Sequence, residues 1–186
     1  MKSHYKLIDG DIRKIKSRLI LDNKVPNDFI SDSGDVYKWL WLPSSDIKHL
    51  LEVRNSKHVR SNMHKTSPIT EEAHLAFLKK YDSLQRLDFV LQHHGDREYV
   101  GAMYISLTHH GFEIGKYIGN KKFLGKGLAF PMSNCFIDFI KKNVKEIEKI
   151  SAVTKLNNYK NINLNFKLGF RIIKLVEKDS WLMELQ

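Results

Sequence analysis

The sequence holds a single cysteine, Cys135, among 186 residues. That excludes an internal disulfide and suits a reducing compartment, the cytoplasm. Long apolar runs are missing too, and the opening MKSHYK leads into no apolar leader segment. Neither a membrane-spanning helix nor a signal peptide is expected, and no membrane partner. Repeats and low-complexity tracts are absent. Acids are outnumbered: 21 Asp and Glu face 31 Lys and Arg, for a net charge of +10. Such a surplus suggests nucleic acid first. Yet the basic residues are scattered, and no zinc-knuckle, helix-turn-helix or RNA-recognition signature accompanies them, so nucleic acid is not the expected partner. A ligand carrying several phosphates, or an anionic second substrate, accounts for the charge equally well. With 42% hydrophobic and 28% charged residues the chain reads as globular. Its length is that of one ordinary domain with a substantial core.

What is present concentrates between residues 112 and 130, FEIGKYIGNKKFLGKGLAF. Residues 112–118 mix aromatic and β-branched side chains and predict a strand. Gly119 and Asn120 break it, Lys121 and Lys122 add charge, and Gly125-Lys126-Gly127 makes a turn. From Leu128 onward, the spacing of Ala129, Met132, Cys135, Phe136, Phe139 and Ile140 predicts a helix. A strand, a glycine turn and a helix start together present main-chain N–H groups to an anion, and the helix dipole adds to the attraction. Glycine at 125 and 127 leaves that backbone uncovered. The Walker A pattern fails, because Gly127 follows Lys126 and Asn120 stands where its first glycine belongs. The dinucleotide fingerprint fails at Phe130.

Lys122-Phe123-Leu124-Gly125-Lys126-Gly127 resembles the pyrophosphate loop Gln/Arg-x-x-Gly-x-Gly/Ala of the GNAT superfamily of N-acetyltransferases, with lysine in first place. Residues 157–170, NNYKNINLNFKLGF, resemble its closing motif, Asn-x-x-Ser/Ala-x-x-Leu-Tyr-x-Lys-x-Gly-Phe. Asn158, Leu164, Lys167, Gly169 and Phe170 match; Asn161 replaces the small residue, and Asn165 stands where many members carry tyrosine. The resemblance implies an α/β fold, a mixed and mostly antiparallel sheet of about seven strands flanked by helices. Its fourth and fifth strands splay apart to admit pantetheine, whose amides pair with the free edge. It implies acetyl-CoA as cofactor, held by Tyr117, Ile118, Gly119, Lys122, Phe123, Leu124, Gly125, Lys126, Gly127 and Leu128, and by Asn158, Asn161 and Asn165. Glu113 takes the place of the base that deprotonates the amine, and the Ile118 N–H that of the oxyanion donor. Because Asn165 has no phenolic proton, either Tyr159 protonates the leaving thiolate or the thiolate departs without a donor.

Residues 1–35 read as an N-terminal extension, with 11–23 a short helix or strand and 25–35 a loop; 36–186 form the single acetyltransferase domain. Residues 36–42, VYKWLWL, predict a strand, Pro43-Ser44-Ser45-Asp46 predicts a helix N-cap with an acidic first turn, and Thr70 predicts the N-cap of a further helix. Arg54-Asn55-Ser56-Lys57-His58-Val59-Arg60-Ser61-Asn62-Met63 resembles the acceptor wall of the ribosomal-protein and sugar-nucleotide branches. That resemblance assigns Arg54, Asn55, Arg60, Met63 and, from the next helix, His74 to the acceptor. Residues 87–94 and 99–109 predict a hairpin turning at Gly95-Asp96, with Gly101 admitting a close approach. His109 and His110, taken as strand neighbours, point to opposite faces, so no metal is expected. The expected acceptor is a small-molecule amine, an amino-deoxy sugar nucleotide. A protein N-terminus of ribosomal type is the alternative, and a non-catalytic acyl-CoA- or nucleic-acid-binding module the alternative of another class. The chain is expected to be a monomer or homodimer.

Overall fold

The computed structural model describes residues 11–186; the first ten residues of the expected extension lie outside them. It begins with α1 (Asp11–Leu21), in which Ile12, Ile15 and Leu19 are buried. Their spacing, three and four apart, decides for a helix where composition allowed helix or strand. Lys16 is buried with them, its ammonium donating to the carbonyls of Tyr81 and Leu84 at 2.5 and 3.0 Å. The short strand β1 (Phe29–Ile30) pairs with β2 (Val36–Trp41), whose VYKWLW alternates half-buried and buried residues.

Three helices, α2 (Ile47–Arg54), α3 (Lys57–Arg60) and α4 (Glu71–Lys79), fill the connection to β3 (Arg86–His93). Thr70 caps α4 as expected, accepting from the Ala73 N–H at 3.2 Å. In residues 43–46 the acid is itself the cap of α2, Asp46 accepting from the His49 N–H at 3.0 Å, and no acid stands in the first turn. The antiparallel strands β4 (Tyr99–Thr108) and β5 (Gly111–Ile118) follow. A Cβ at Gly101 would meet the Tyr117 carbonyl oxygen at 1.9 Å, the close approach expected there. The chain then runs through α5 (Ala129–Asn143), β6 (Ile150–Lys155), α6 (Tyr159–Lys167), β7 (Phe170–Val176) and β8 (Ser180–Leu185).

The strands form one sheet in the order β1-β2-β3-β4-β5-β6-β8-β7. This is the expected mixed α/β sheet, and β1 adds the eighth strand. Alternation along β3 divides the core. Leu87, Phe89 and Leu91 pack with Phe136 and Phe139 of α5 and with α1, whereas Val90 joins Leu50 of α2 and Phe77 and Leu78 of α4.

Two expectations need correction. Residues 25–35 read as a loop, yet Phe29–Ile30 forms β1 by pairing with β2. β4 ends at Thr108, so His109 and His110 lie in the turn before Gly111 rather than on a strand. Their rings do not point apart; the centroids are 3.8 Å from each other. With Glu177 they bring ligand-type atoms within 4.8 Å of one another. A tight turn breaks the two-residue alternation on which the opposite-face inference depended.

Candidate active site

β5 and β6 are the parallel pair, and they pair only at Phe112↔Ile150 and Glu113↔Ser151. Beyond these positions the strands part. Each is held from its other side, β5 by β4 along its length and β6 by β8 from Ser151 to Lys155, so the gap costs neither strand its support. The gap opens on a cavity of about 220 Å³, lined by residues of β5, β6, the start of α6 and the segment from His58 to His64.

Alternation sorts the side chains of β5. Glu113, Gly115 and Tyr117 share the face of α2 to α4, and Lys116 points to the other face, where its Nζ donates to Asn165 Oδ1 at 2.6 Å. Gly115 is required by its neighbour: a Cβ there would meet Cζ of Tyr104 at 2.1 Å, and that ring reaches the cavity across it. The N–H of Gly119 is bonded to the Val100 carbonyl at 2.9 Å. By the ladder's alternation, the Ile118 N–H and C=O therefore turn away from β4 toward the gap. The Ile118 carbonyl accepts from His58 Nε2 at 3.0 Å.

Glu113 is half-buried on the cavity wall. Burial pushes its carboxyl above the ordinary value, opposed by the Thr108 hydroxyl and by His64. Thr108 Oγ1 lies 3.4 Å from Glu113 Oε2. A carboxylate made more basic by desolvation is suited to take a proton from an amine.

The expected anion loop is open. Asn120 caps a 3₁₀ turn (Lys121–Phe123) by accepting from the Lys122 N–H at 3.0 Å, and the buried Phe123 ring anchors the turn. Leu124, Gly125, Lys126 and Gly127 are exposed. Among the described residues, the N–H groups from Gly125 to Leu128 meet no carbonyl or side-chain acceptor. Gly125 and Gly127 have φ of +78° and +73°, and a Cβ on either would meet open space. Uncovered amides beside a helix start fit a diphosphate. Lys122 is already engaged: its ammonium contacts Asp96 and, at 3.2 Å, Glu98.

From the other side of the gap, Asn158 caps α6, its Oδ1 accepting from the Asn161 N–H at 3.3 Å. Asn161 and the fully buried Asn165 both donate to Thr154 Oγ1, at 3.0 and 3.2 Å. The structure does not bring Tyr159 to the gap; it stands 71% exposed. Nor does it bring in the polar atoms of Asn55 and Arg60. Asn55 is clamped to the backbone of Ile69, donating at 2.8 Å and accepting at 2.9 Å, and Arg60 donates to the carbonyls of Asn55 and Thr66. These two shape the loop behind the wall. Arg54 stacks over the Tyr117 ring at 5.5 Å, and Met63 lines the cavity while its carbonyl accepts from Lys155. His74 is buried against Phe77, away from the cavity lining, and burial lowers its pKa. His58, His64, Tyr104, Lys116 and Lys155 are cavity residues that the sequence reading missed. Only Lys116 carried a sequence signal, since alternation from Glu113 sends it toward the last helix.

A splayed parallel pair, an uncovered amide loop at a helix start and, on the cavity wall, a carboxyl whose pKa burial raises are the features of this site. A family model described as an acetyltransferase (GNAT) domain matches residues 40–171, and the chain belongs to that family. It is an acyltransferase, and its donor is acetyl-CoA. Solved structures share the fold. The ribosomal-protein-S5-alanine acetyltransferase from Vibrio fischeri is 20% identical over 87% of this chain and 96% of its own, with a TM-score of 0.70. The spermidine N-acetyltransferase from Vibrio cholerae, solved with CoA and spermine, is 18% identical over 80% and 94%, with a TM-score of 0.69. A domain from Methanocaldococcus jannaschii is 21% identical over 81% and 98%, with a TM-score of 0.70. No curated protein sequence matches the chain. Among the described residues no helix is long and apolar enough to cross a membrane.

Proposed function

We propose that the protein transfers the acetyl group of acetyl-CoA directly to the primary amine of an amino-deoxy sugar nucleotide. The observation that carries this reading is the charge of the cavity. Among the described residues, Glu113 is the one carboxylate on its lining, against Lys116 and Lys155 and the imidazoles of His58 and His64. A polycationic acceptor calls for several acids, and an acceptor bearing phosphates does not. Lys155, on the lining and bonded to the Met63 carbonyl, and Arg54, stacked over Tyr117 beyond the lining, are the cations that would meet those phosphates, because Arg60 holds its own loop.

The chain's residues divide the work. Backbone N–H groups from Gly125 to Leu128 hold the diphosphate of the donor, and the open edge of β5 pairs with its pantetheine amides. The bound donor supplies an activated acetyl carbonyl. Ile118 N–H faces the gap and offers a preorganised hydrogen bond to charge developing on that carbonyl oxygen. Glu113 takes the proton that the amine sheds as its nitrogen bonds to the acetyl carbon.

The test is thiol release from acetyl-CoA with a panel of acceptors: a UDP-linked 4-amino-4,6-dideoxyhexose, a peptide with an N-terminal alanine, spermidine and kanamycin, with product masses measured. The sugar nucleotide is expected to turn over fastest. A faster peptide transfers the assignment to protein N-termini. No thiol release with any amine, together with salt-sensitive binding to an oligonucleotide, overturns the catalytic reading.

A further inference from the structure

Breaking a thioester leaves an electron pair on sulfur, and some group at the gap must meet it with a proton or a positive charge. The other titratable side chains on the cavity lining are Glu113, Tyr104, Tyr117, His58, His64 and Lys155. Alternation and chain position put the first five on the face of α2 to α4, and Lys155 is bonded to the Met63 carbonyl. On the opposite face the side chains from β6 and α6 are Thr154, Asn161 and Asn165, and none of them titrates. Lys116 is the exception. It lines the cavity, and its Nζ is held 2.6 Å from Asn165 Oδ1. Asn165 is in turn immobilised, fully buried and donating to Thr154 at 3.2 Å. The ammonium is thus aimed across the gap by a neutral partner that does not compete for its proton.

We propose that Lys116, oriented by Asn165, is the proton donor to the departing thiolate, a role that rests on the acetyltransferase reading above. As the C–S bond breaks, its electron pair stays on sulfur. Lys116 Nζ gives that sulfur a proton, keeps the N–H bonding pair and becomes a neutral amine. Glu113 holds the proton lost by the acceptor and passes it to solvent, and Lys116 takes one back from solvent. The sum is amine plus thioester to amide plus thiol. Burial pulls the Lys116 ammonium from 10.5 down to about 7 with no carboxylate to offset it, so either protonation state is accessible near neutrality. Its surroundings are Glu113 on the far face of β5, neutral Thr154 on β6, neutral Asn161 and Asn165 on α6, and His58 and His64 across the cavity.

The test uses Lys116→Met and Lys116→Arg in the full chain, read first by binding of CoA and then by the pH dependence of turnover. Both variants should bind CoA as wild type does. With the most active amine of the panel, Lys116→Met should lower kcat about 100-fold with KM for acetyl-CoA within about twofold. Lys116→Arg should also turn over slowly, since guanidinium does not release its proton. Wild-type kcat should fall as pH rises through the Lys116 titration, and Lys116→Met should lack that fall. If wild type binds CoA and acetylates an amine while Lys116→Met keeps the wild-type kcat or the same alkaline limb, this proposal alone is overturned. If wild type binds no CoA, the acetyltransferase reading falls and this proposal with it.

Discussion

His58 Nε2 lies 3.0 Å from the carbonyl oxygen of Ile118, tying α3 to the open edge of β5. A carbonyl only accepts, so Nε2 carries a proton, while Nδ1 is buried without a partner. His58→Phe keeps the ring and deletes the bond. It should lower unfolding free energy in urea by about 1 kcal/mol. It should also raise KM for the amine while leaving CoA affinity unchanged, because the proposed acceptor wall includes α3 and the proposed diphosphate loop does not.

Glu113→Gln separates catalysis from stability. As the base, Glu113 should be worth about 100-fold or more in kcat, with CoA affinity unaltered. Its folded pKa is raised by burial, so the native state binds the proton more tightly than the unfolded chain. Stability therefore falls as pH rises from the unfolded value through the raised one, and at neutral pH the ionised group is a cost. The amide should be slower yet melt at a higher temperature near pH 7, which calorimetry checks.

The loop's geometry makes Gly125→Val selective. With φ at +78°, an L side chain costs about 1–2 kcal/mol in strain and covers the amides meant for the diphosphate. The dissociation constant for CoA should rise at least about tenfold, the equivalent of about 1.4 kcal/mol. Binding of S-acetyl-pantetheine, which lacks the diphosphate, should not change.

Lys122→Ala should disturb CoA binding far less than Gly125→Val, because Asp96 and Glu98 already neutralise the ammonium. Its hydrogen bond to Asp96 holds that carboxyl below its ordinary 3.8, with His93 assisting. That contribution is present above the unfolded pKa and lost as pH falls through the depressed one. The variant should therefore show a weaker loss of stability on acidification, measured as urea midpoints at falling pH.

Lys16→Met tests how α1 is docked. Burial pulls the Lys16 ammonium from 10.5 to about 8, although Asp88 and Asp82 oppose the shift. Between those values the unfolded chain binds more protons, so wild-type stability rises with pH across that window. The methionine variant should lack the rise when urea midpoints at about pH 7 and about pH 10 are compared.

The features legible in the sequence were those written into neighbouring residues. The loop at Gly125 and Gly127 needs uncovered backbone and positive φ, and only glycine supplies both cheaply. Asn158, Ile162 and Asn165 recur at helical spacing, so the inward face of α6 was readable. The same spacing turns Tyr159 outward, which its assignment as a proton donor overlooked. Asn55 and Arg60 misled for a different reason. A polar side chain facing a ligand and one clamping its own loop look alike in sequence, because both need a donor at the same place in the chain.

The amino-acid order alone determined the strands and helices from residue 36 onward, the glycine turn and the family, since propensity, capping and glycine geometry act over a few residues. Which groups share the gap was decided by the tertiary structure. Lys116 and Asn165 are separated by 49 positions and meet because two strands part after their first pairs and a helix closes over the opening. Contact, burial and the resulting loss of hydration are properties of that meeting, and they turn an ordinary surface-type lysine into one that titrates near neutrality.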